Sequence, residues 1–246
     1  MDPNVLFGVG LLAVPVLLSL TLHEFGHARV ALAFGDDTAK RMGRVSLNPL
    51  VHLDPLGTLC LLFGPVGWAK PVPVTPYKLR PPRTADIAVS LAGVGMNLLL
   101  ALLSVGGLTA MMYAGVRVNP APNSPVTPAG VGVLMLFITM RINLALIVFN
   151  LIPLFPLDGH HVLRELLPAR LHAGFMEWQH RFGRFALLAL VFLPWIARLL
   201  RLPVQFNPLA RLLGTIMGLT MRLLLPYDAM LMVADAFDRY QMFLPY

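Results

Sequence analysis

Apolar residues along this chain do not alternate with a period of two, nor do they form one narrow helical stripe. They come in long unbroken runs. The first covers about residues 5–34, and residues 5–22 hold no charged side chain. At about 1.5 Å per residue, such a run crosses a hydrocarbon core of roughly 30 Å with length to spare. Gly35-Asp36-Asp37 ends it, followed by Lys40, Arg41 and Arg44. Two more spans read at about 86–114 and 129–157, joined by a turn-rich, nearly uncharged loop. A polar, basic stretch from 158 to 184 comes next. A span around 185–200 and an apolar run at 204–225, weakened by Arg211 and Arg222, follow it. Residues 228–246 read as interfacial.

The stretch between the first two spans is of a different kind. Residues 46–66 hold Asn48, Pro49, His52, Asp54 and Pro55, and their clean apolar part covers only 59–63. That is far short of the roughly 20 residues a span needs, so the segment is expected to be re-entrant or interfacial. Lys70-Pro71-Val72-Pro73-Val74 reads as extended chain, since prolines remove ladder donors and suit edge positions. It can serve as a structural hairpin or pair with a substrate strand.

The pattern predicts an all-α integral membrane protein. We expect a polytopic bundle of about four to six transmembrane helices, with a re-entrant segment and a short extended hairpin between the first and second. A single membrane-embedded domain would cover 1–246, with a core at about 5–165 and C-terminal helices at 166–246. Composition agrees: 57% of residues are hydrophobic and 13% charged, against roughly a quarter charged in soluble domains. Mean hydropathy is +0.72. The net charge of +7 does not point to nucleic acid, because the bases lie in loops between apolar runs, where they meet an anionic leaflet. The single cysteine, Cys60, excludes an internal disulfide. With no positive n-region and no A-x-A-like site, the first run reads as a retained helix rather than a cleaved signal.

The chemistry sits in the first run, at His23-Glu24-Phe25-Gly26-His27. Residues four apart share a helix face, so His23 and His27 can offer two imidazole nitrogens to one metal ion. Glu24 lies beside that ion, where its carboxylate can take a proton from bound water. Zinc is the expected metal, one ion per chain, and its catalytic sites usually have three protein ligands. A short pattern can arise by chance. Yet three ionisable groups on one turn at membrane depth need a reason, and a metal supplies one.

The best third ligand is Asp158, just after Pro153 and Pro156, which would break the helix before it. On its own residues it reads equally well as a cap or turn residue before Gly159. Topology separates the two. His23, His27 and Asp158 all lie near the C-terminal ends of their spans, so they can share a metal only if those spans run parallel. A re-entrant 50–66 segment and one crossing at 86–114 give that result. Seven basic residues in 36–84 and four in 159–184, against Arg117 alone in the 115–128 loop, put the metal end on the cytoplasmic side.

With H-E-x-x-H at 23–27, the chain also carries G-x-x-x-N at Gly93–Asn97 and N-x-x-P-x-x-x-x-D-G at Asn150–Gly159. This ordered set resembles the site-2 protease family of intramembrane zinc metalloproteases, in its compact bacterial branch without PDZ or CBS domains. One departure is Val94, where relatives often have a proline. The resemblance implies that His23, His27 and Asp158 bind zinc and that Glu24 activates water. It implies that Asn150 stabilises an oxyanion or places substrate, and that Asn97 touches substrate backbone. The implied partners are a transmembrane protein substrate and the lipid bilayer, with the protein a multi-pass component of the cell membrane. A metal transporter or an inactive scaffold is the alternative. Transport is disfavoured because the outer halves of the spans offer no chain of carboxylates or histidines. His52 and Asp54 can gate the site, touch the metal or satisfy local backbone, the last being the usual role. One of His160 and His161 can support a ligand, and His172 and His180 read as interfacial.

Overall fold

Backbone polar groups at membrane depth find no water, so a spanning segment must satisfy them within itself, and the chain does this with helices. The computed structural model describes residues 3–63, 67–118, 126–200 and 207–226. The loop at 119–125, the start of the 204–225 run and the 228–246 tail therefore lie outside the described residues. The helices are α1 (Pro3–Ala33), α2 (Thr38–Arg41), α3 (Pro55–Phe63), α4 (Pro82–Tyr113), α5 (Pro128–Asn150), α6 (Asp158–Leu166), α7 (Ala169–Trp178), α8 (Arg184–Leu199) and α9 (Pro208–Leu224). Among the described residues three stretches are long and apolar enough to cross a membrane: Gly10–Ala33, Pro82–Tyr113 and Pro128–Asn150. Helices α8 and α9, with 16 and 17 residues, fall short of the roughly 20 a perpendicular span needs.

Helix boundaries follow local chemistry. Prolines open α4, α5 and α9 in the first turn, where a missing N–H costs nothing. The Thr127 hydroxyl caps α5 by accepting from the Gly130 N–H at 2.9 Å. Helix α1 stops at Gly35, whose φ of 97° a side chain would strain. The third span ends at Asn150, earlier than the apolar pattern extends. Pro153 and Pro156 exclude helix there, and residues 151–157 form irregular turns before α6 begins at Asp158. Helix α4 runs unbroken past Val94. At nine residues α3 is too short to cross, in keeping with a re-entrant segment.

Contacts between α1, α4 and α5 fix their directions. His27 meets Val89 and His23 meets Asn97, so α4 runs antiparallel to α1. The Asn143 amide donates to the Ser19 hydroxyl at 2.8 Å, while Asp158, beyond the end of α5, reaches His23 and His27. Helix α5 is therefore parallel to α1, as the ligand-sharing argument required. The two ends of this trio are built differently. Away from the histidines, Leu11, Leu108, Val133, Phe137 and Met140 form a large-side-chain core. Nearer them, α1 meets α4 through Ala31, Ala85 and Val89, and a Cβ on Gly26 would lie 2.8 Å from the Ala92 carbonyl oxygen.

Between α1 and α4 the chain folds back as an extended strap at 69–75. Among the described residues there is no strand ladder, only an isolated antiparallel bridge between Leu53 and Ala69, with the Lys70 N–H bonded to the His52 carbonyl at 2.8 Å. Pro71 and Pro73 have no N–H to extend it. The far end of the strap is tied to buried Asp36, which accepts from the Thr75 N–H at 2.6 Å and from both the N–H and hydroxyl of Thr38. Burial alone would push the Asp36 carboxyl up; the hydrogen bonds of Thr38 and Thr75, aided by Lys78, hold it below the usual carboxylate range.

A carboxyl depressed in the folded state stabilises above its unfolded pKa and loses that contribution as pH falls through the folded value. Asp36→Asn is expected to cost about 1–3 kcal/mol near neutral pH. The gap to wild type should close below about pH 4, as read by thermal unfolding in detergent across pH.

Candidate metal centre

Helix α4 supports the histidines with three successive turns of one face. The His27 Nδ1 lies 2.7 Å from the Val89 carbonyl oxygen. A carbonyl only accepts, so Nδ1 carries the proton and Nε2 keeps its lone pair. One turn further on stands Gly93: a Cβ there would lie 2.5 Å from His27 Nε2 and from His23 Cε1, so only glycine leaves room for both rings. One more turn brings Asn97, wholly buried, whose Oδ1 lies 2.8 Å from His23 Nδ1. The same tautomer follows for His23. Gly93 and Asn97 of the G-x-x-x-N element are thus a clearance and an orienting acceptor. Asn97 faces the His23 ring rather than the cavity.

The two Nε2 atoms are 3.0 Å apart, and Asp158 closes the group, with Oδ2 3.3 Å from His23 Nε2 and Oδ1 3.4 Å from His27 Nε2. Asp158 Oδ2 is buried without a hydrogen-bond partner. Three acceptors converging with no donor among them repel one another unless a cation sits between them, so the donor set fits a zinc ion. Ligand atoms of His23, His27 and Asp158 all lie within 4.8 Å of one another. Asp158 reaches this point because Gly159 lets the start of α6 lie close against the backbone of 151–152. A Cβ on Gly159 would lie 2.4 Å from the Leu151 carbonyl oxygen.

Glu24 projects beside the group into a cavity of about 500 Å³, walled by Leu20, Val74, Leu146 and Phe149 among others. Its Oε2 accepts the Val72 N–H at 2.9 Å. Val72 stands alone between Pro71 and Pro73, and its N–H is directed inward at Glu24. Asn150 lines the same cavity, with its amide donating to the Leu146 carbonyl at 3.0 Å.

The other sequence candidates have local partners. His52 Nε2 bonds the Ser46 carbonyl at 2.8 Å, and Asp54 caps α3 by accepting the Gly57 N–H at 2.8 Å. Neither approaches the group, in line with the backbone-satisfying role. His160 is buried, with Nδ1–H on the Leu157 carbonyl at 2.6 Å, and burial pushes its imidazole down to about 4. His161 lines the cavity, with Nδ1 3.5 Å from Asp86 Oδ2. In addition to Val72, both Asp86 and Gln179 escaped the sequence reading. Asp86 in α4 pairs with Arg164 of α6 at 2.8 Å and docks the helix that Asp158 begins. Gln179 bonds the turn ahead of Asp158. Nothing in their local sequence marks either one.

A membrane-embedded helix trio bringing two imidazoles, one carboxylate and a neighbouring glutamate into one apolar cavity defines the metallopeptidase class. The family model of peptidase family M50 matches residues 111–193. The chain is 39% identical over 183 residues to a Bacillus subtilis (strain 168) protein described as "Putative zinc metalloprotease YwhC", covering 74% of this chain and 80% of that protein. It is 34% identical over 156 residues to "Putative zinc metalloprotease Rip2" of Mycolicibacterium smegmatis, covering 61% of this chain and 55% of that one. No solved structure matches. The chain belongs to peptidase family M50, the site-2 proteases, and is a zinc metalloendopeptidase.

Gly93→Ala is expected to push the imidazole pair apart. Overpacking of this kind costs roughly 1–3 kcal/mol, so the purified variant should unfold at lower temperature. It should also carry well under one equivalent of zinc by elemental analysis, while Gly95→Ala, in open space on the same helix, should keep its metal.

Proposed function

We propose that the protein hydrolyses peptide bonds within or beside transmembrane segments of membrane-protein substrates. In this reading His23, His27 and Asp158 hold the zinc ion and Glu24 is the general base. One observation carries it: three convergent acceptors with no donor stand beside a carboxylate, inside an apolar cavity. Zinc, when bound, supplies Lewis acidity that polarises a carbonyl and brings the pKa of a water toward about 7.

The remaining steps belong to the chain. The Val72 N–H holds Glu24 Oε2 and so orients the carboxylate at the cavity wall. Glu24 takes the water proton there and passes it to the leaving amine. Asn150 uses one amide hydrogen on Leu146 and offers the other to the developing oxyanion, an interaction that contributes about 3 kcal/mol where such donors are in place. The apolar walls receive the side chains flanking the scissile bond. A transmembrane helix hides its carbonyls in hydrogen bonds, so the substrate unwinds before it is cut. The charge asymmetry of the loops supports a multi-pass protein of the cell membrane with this cavity toward the cytoplasm.

Glu24→Gln is expected to keep one equivalent of zinc and to lower cleavage of a single-span substrate in proteoliposomes by at least about 100-fold. Cleavage at the wild-type rate would remove Glu24 as the base. A zinc-loaded wild type that cleaves nothing, yet moves zinc across the vesicle, would favour a transporter.

A further inference from the structure

Asp158 belongs to none of the three long spans. It follows seven residues of irregular chain, 151–157, and its position depends on what holds that chain. Helix α6 is docked on α4 by the Arg164–Asp86 pair, but this support lies beyond Asp158. The support ahead of it comes from more than twenty residues downstream. Gln179 is 1% exposed. Its Oε1 accepts the Phe155 N–H at 2.8 Å, and its Nε2 donates to the Pro153 carbonyl at 2.7 Å. One amide thus serves both a donor and an acceptor of the turn, as a neighbouring strand's backbone would. Irregular backbone at this depth needs such a partner, because no water replaces it.

The surroundings are shaped for this contact. Gln179 opens a π-helical segment, Gln179–Gly183, between α7 and α8. Such segments widen a helix by one residue and are frequent at functional sites. Gly183 lies under the amide: a Cβ there would be 2.6 Å from Gln179 Oε1 and 3.3 Å from the Phe155 nitrogen. His180 and Arg184 flank the Phe155 ring, each 5.3 Å from its centre.

We propose that Gln179 is a positioning residue of the metal centre, holding the 153–155 turn so that Asp158 meets the imidazole pair. The inference rests on the reading that His23, His27 and Asp158 hold zinc. It extends the working site into the C-terminal helices, which the sequence had set outside the catalytic core. Gln179 touches neither metal nor substrate; its effect passes through Asp158.

The test is zinc affinity of the full chain in detergent, by competition with a chromophoric chelator, for wild type, His23→Ala, Gln179→Ala, Gln179→Glu and Val133→Ala. Groups hydrogen-bonded to a ligand side chain typically change metal affinity by 10–100-fold, and Gln179, which acts on the backbone ahead of Asp158, is placed at the lower end, about 10-fold. Gln179→Ala is expected to weaken zinc by that factor. Gln179→Glu, which keeps the acceptor for Phe155 and loses the donor to Pro153, is expected to weaken it less and supplies the reading should the alanine variant not fold. Val133→Ala, a core truncation away from the site, should lower the unfolding temperature and leave zinc affinity at the wild-type value. Wild-type affinity in both Gln179 variants overturns the inference alone. Equal weakening in Val133→Ala overturns it too, by showing general loosening. Zinc binding undisturbed by His23→Ala would overturn the underlying site reading and this inference with it.

Discussion

With both Nδ1 protons committed to α4, two imidazole lone pairs and a carboxylate converge and repel one another until a cation stands between them, and the neighbouring helices hold them at that approach. Helix α4 holds the rings. Val89, Gly93 and Asn97, one turn apart on one face, fix both ring tautomers and leave room for the rings between them. The acceptors hold Nδ1 protons and turn Nε2 lone pairs inward. Gly26 of α1 and Gly93 of α4 permit the spacing at which this works. A bulkier residue at either would separate the helices before the histidines met.

Asp158 and Glu24 are brought to the cavity by different means. Asp158 arrives on a turn that prolines keep out of the helix and that Gln179 and the Asp86–Arg164 pair hold from either end. Glu24 arrives on α1 itself, but its orientation is set by the strap through Val72, and the strap is anchored by Asp36 and His52. His23, His27 and Asp158 are thus fixed from the helices and the turn ahead of α6, while Glu24 is coupled to the segment between α1 and α4. That region also lines the cavity through Trp68 and Val74. A change in the strap therefore bears on Glu24 before it bears on His23, His27 and Asp158.

How much of this could be read beforehand follows from the range of each signal. His23, Glu24 and His27 are one turn of helix and carry their own geometry. Asp158 became legible through span parity, a topological rather than local argument, and the parallel course of α1 and α5 is what the structure shows. For Asn97 the resemblance implies a touch on substrate backbone; its contact with His23 is set by helix packing that no local pattern encodes. Asp86, Val72 and Gln179 went unseen for the same reason: each acts through a partner 24 to 78 positions away. The expected hairpin reduced to a single bridge because its own prolines remove the ladder donors.

X-ray absorption of the zinc-loaded protein tests the central claim most directly, since it reports the atoms around the ion without reference to activity. Two imidazole nitrogens and a carboxylate oxygen, at about 2.0–2.2 Å, are the predicted shell, with the imidazole signal halved in a His27→Ala variant that still retains metal. A shell with fewer than two imidazoles in the wild type, or one unchanged when His27 is removed, would contradict it.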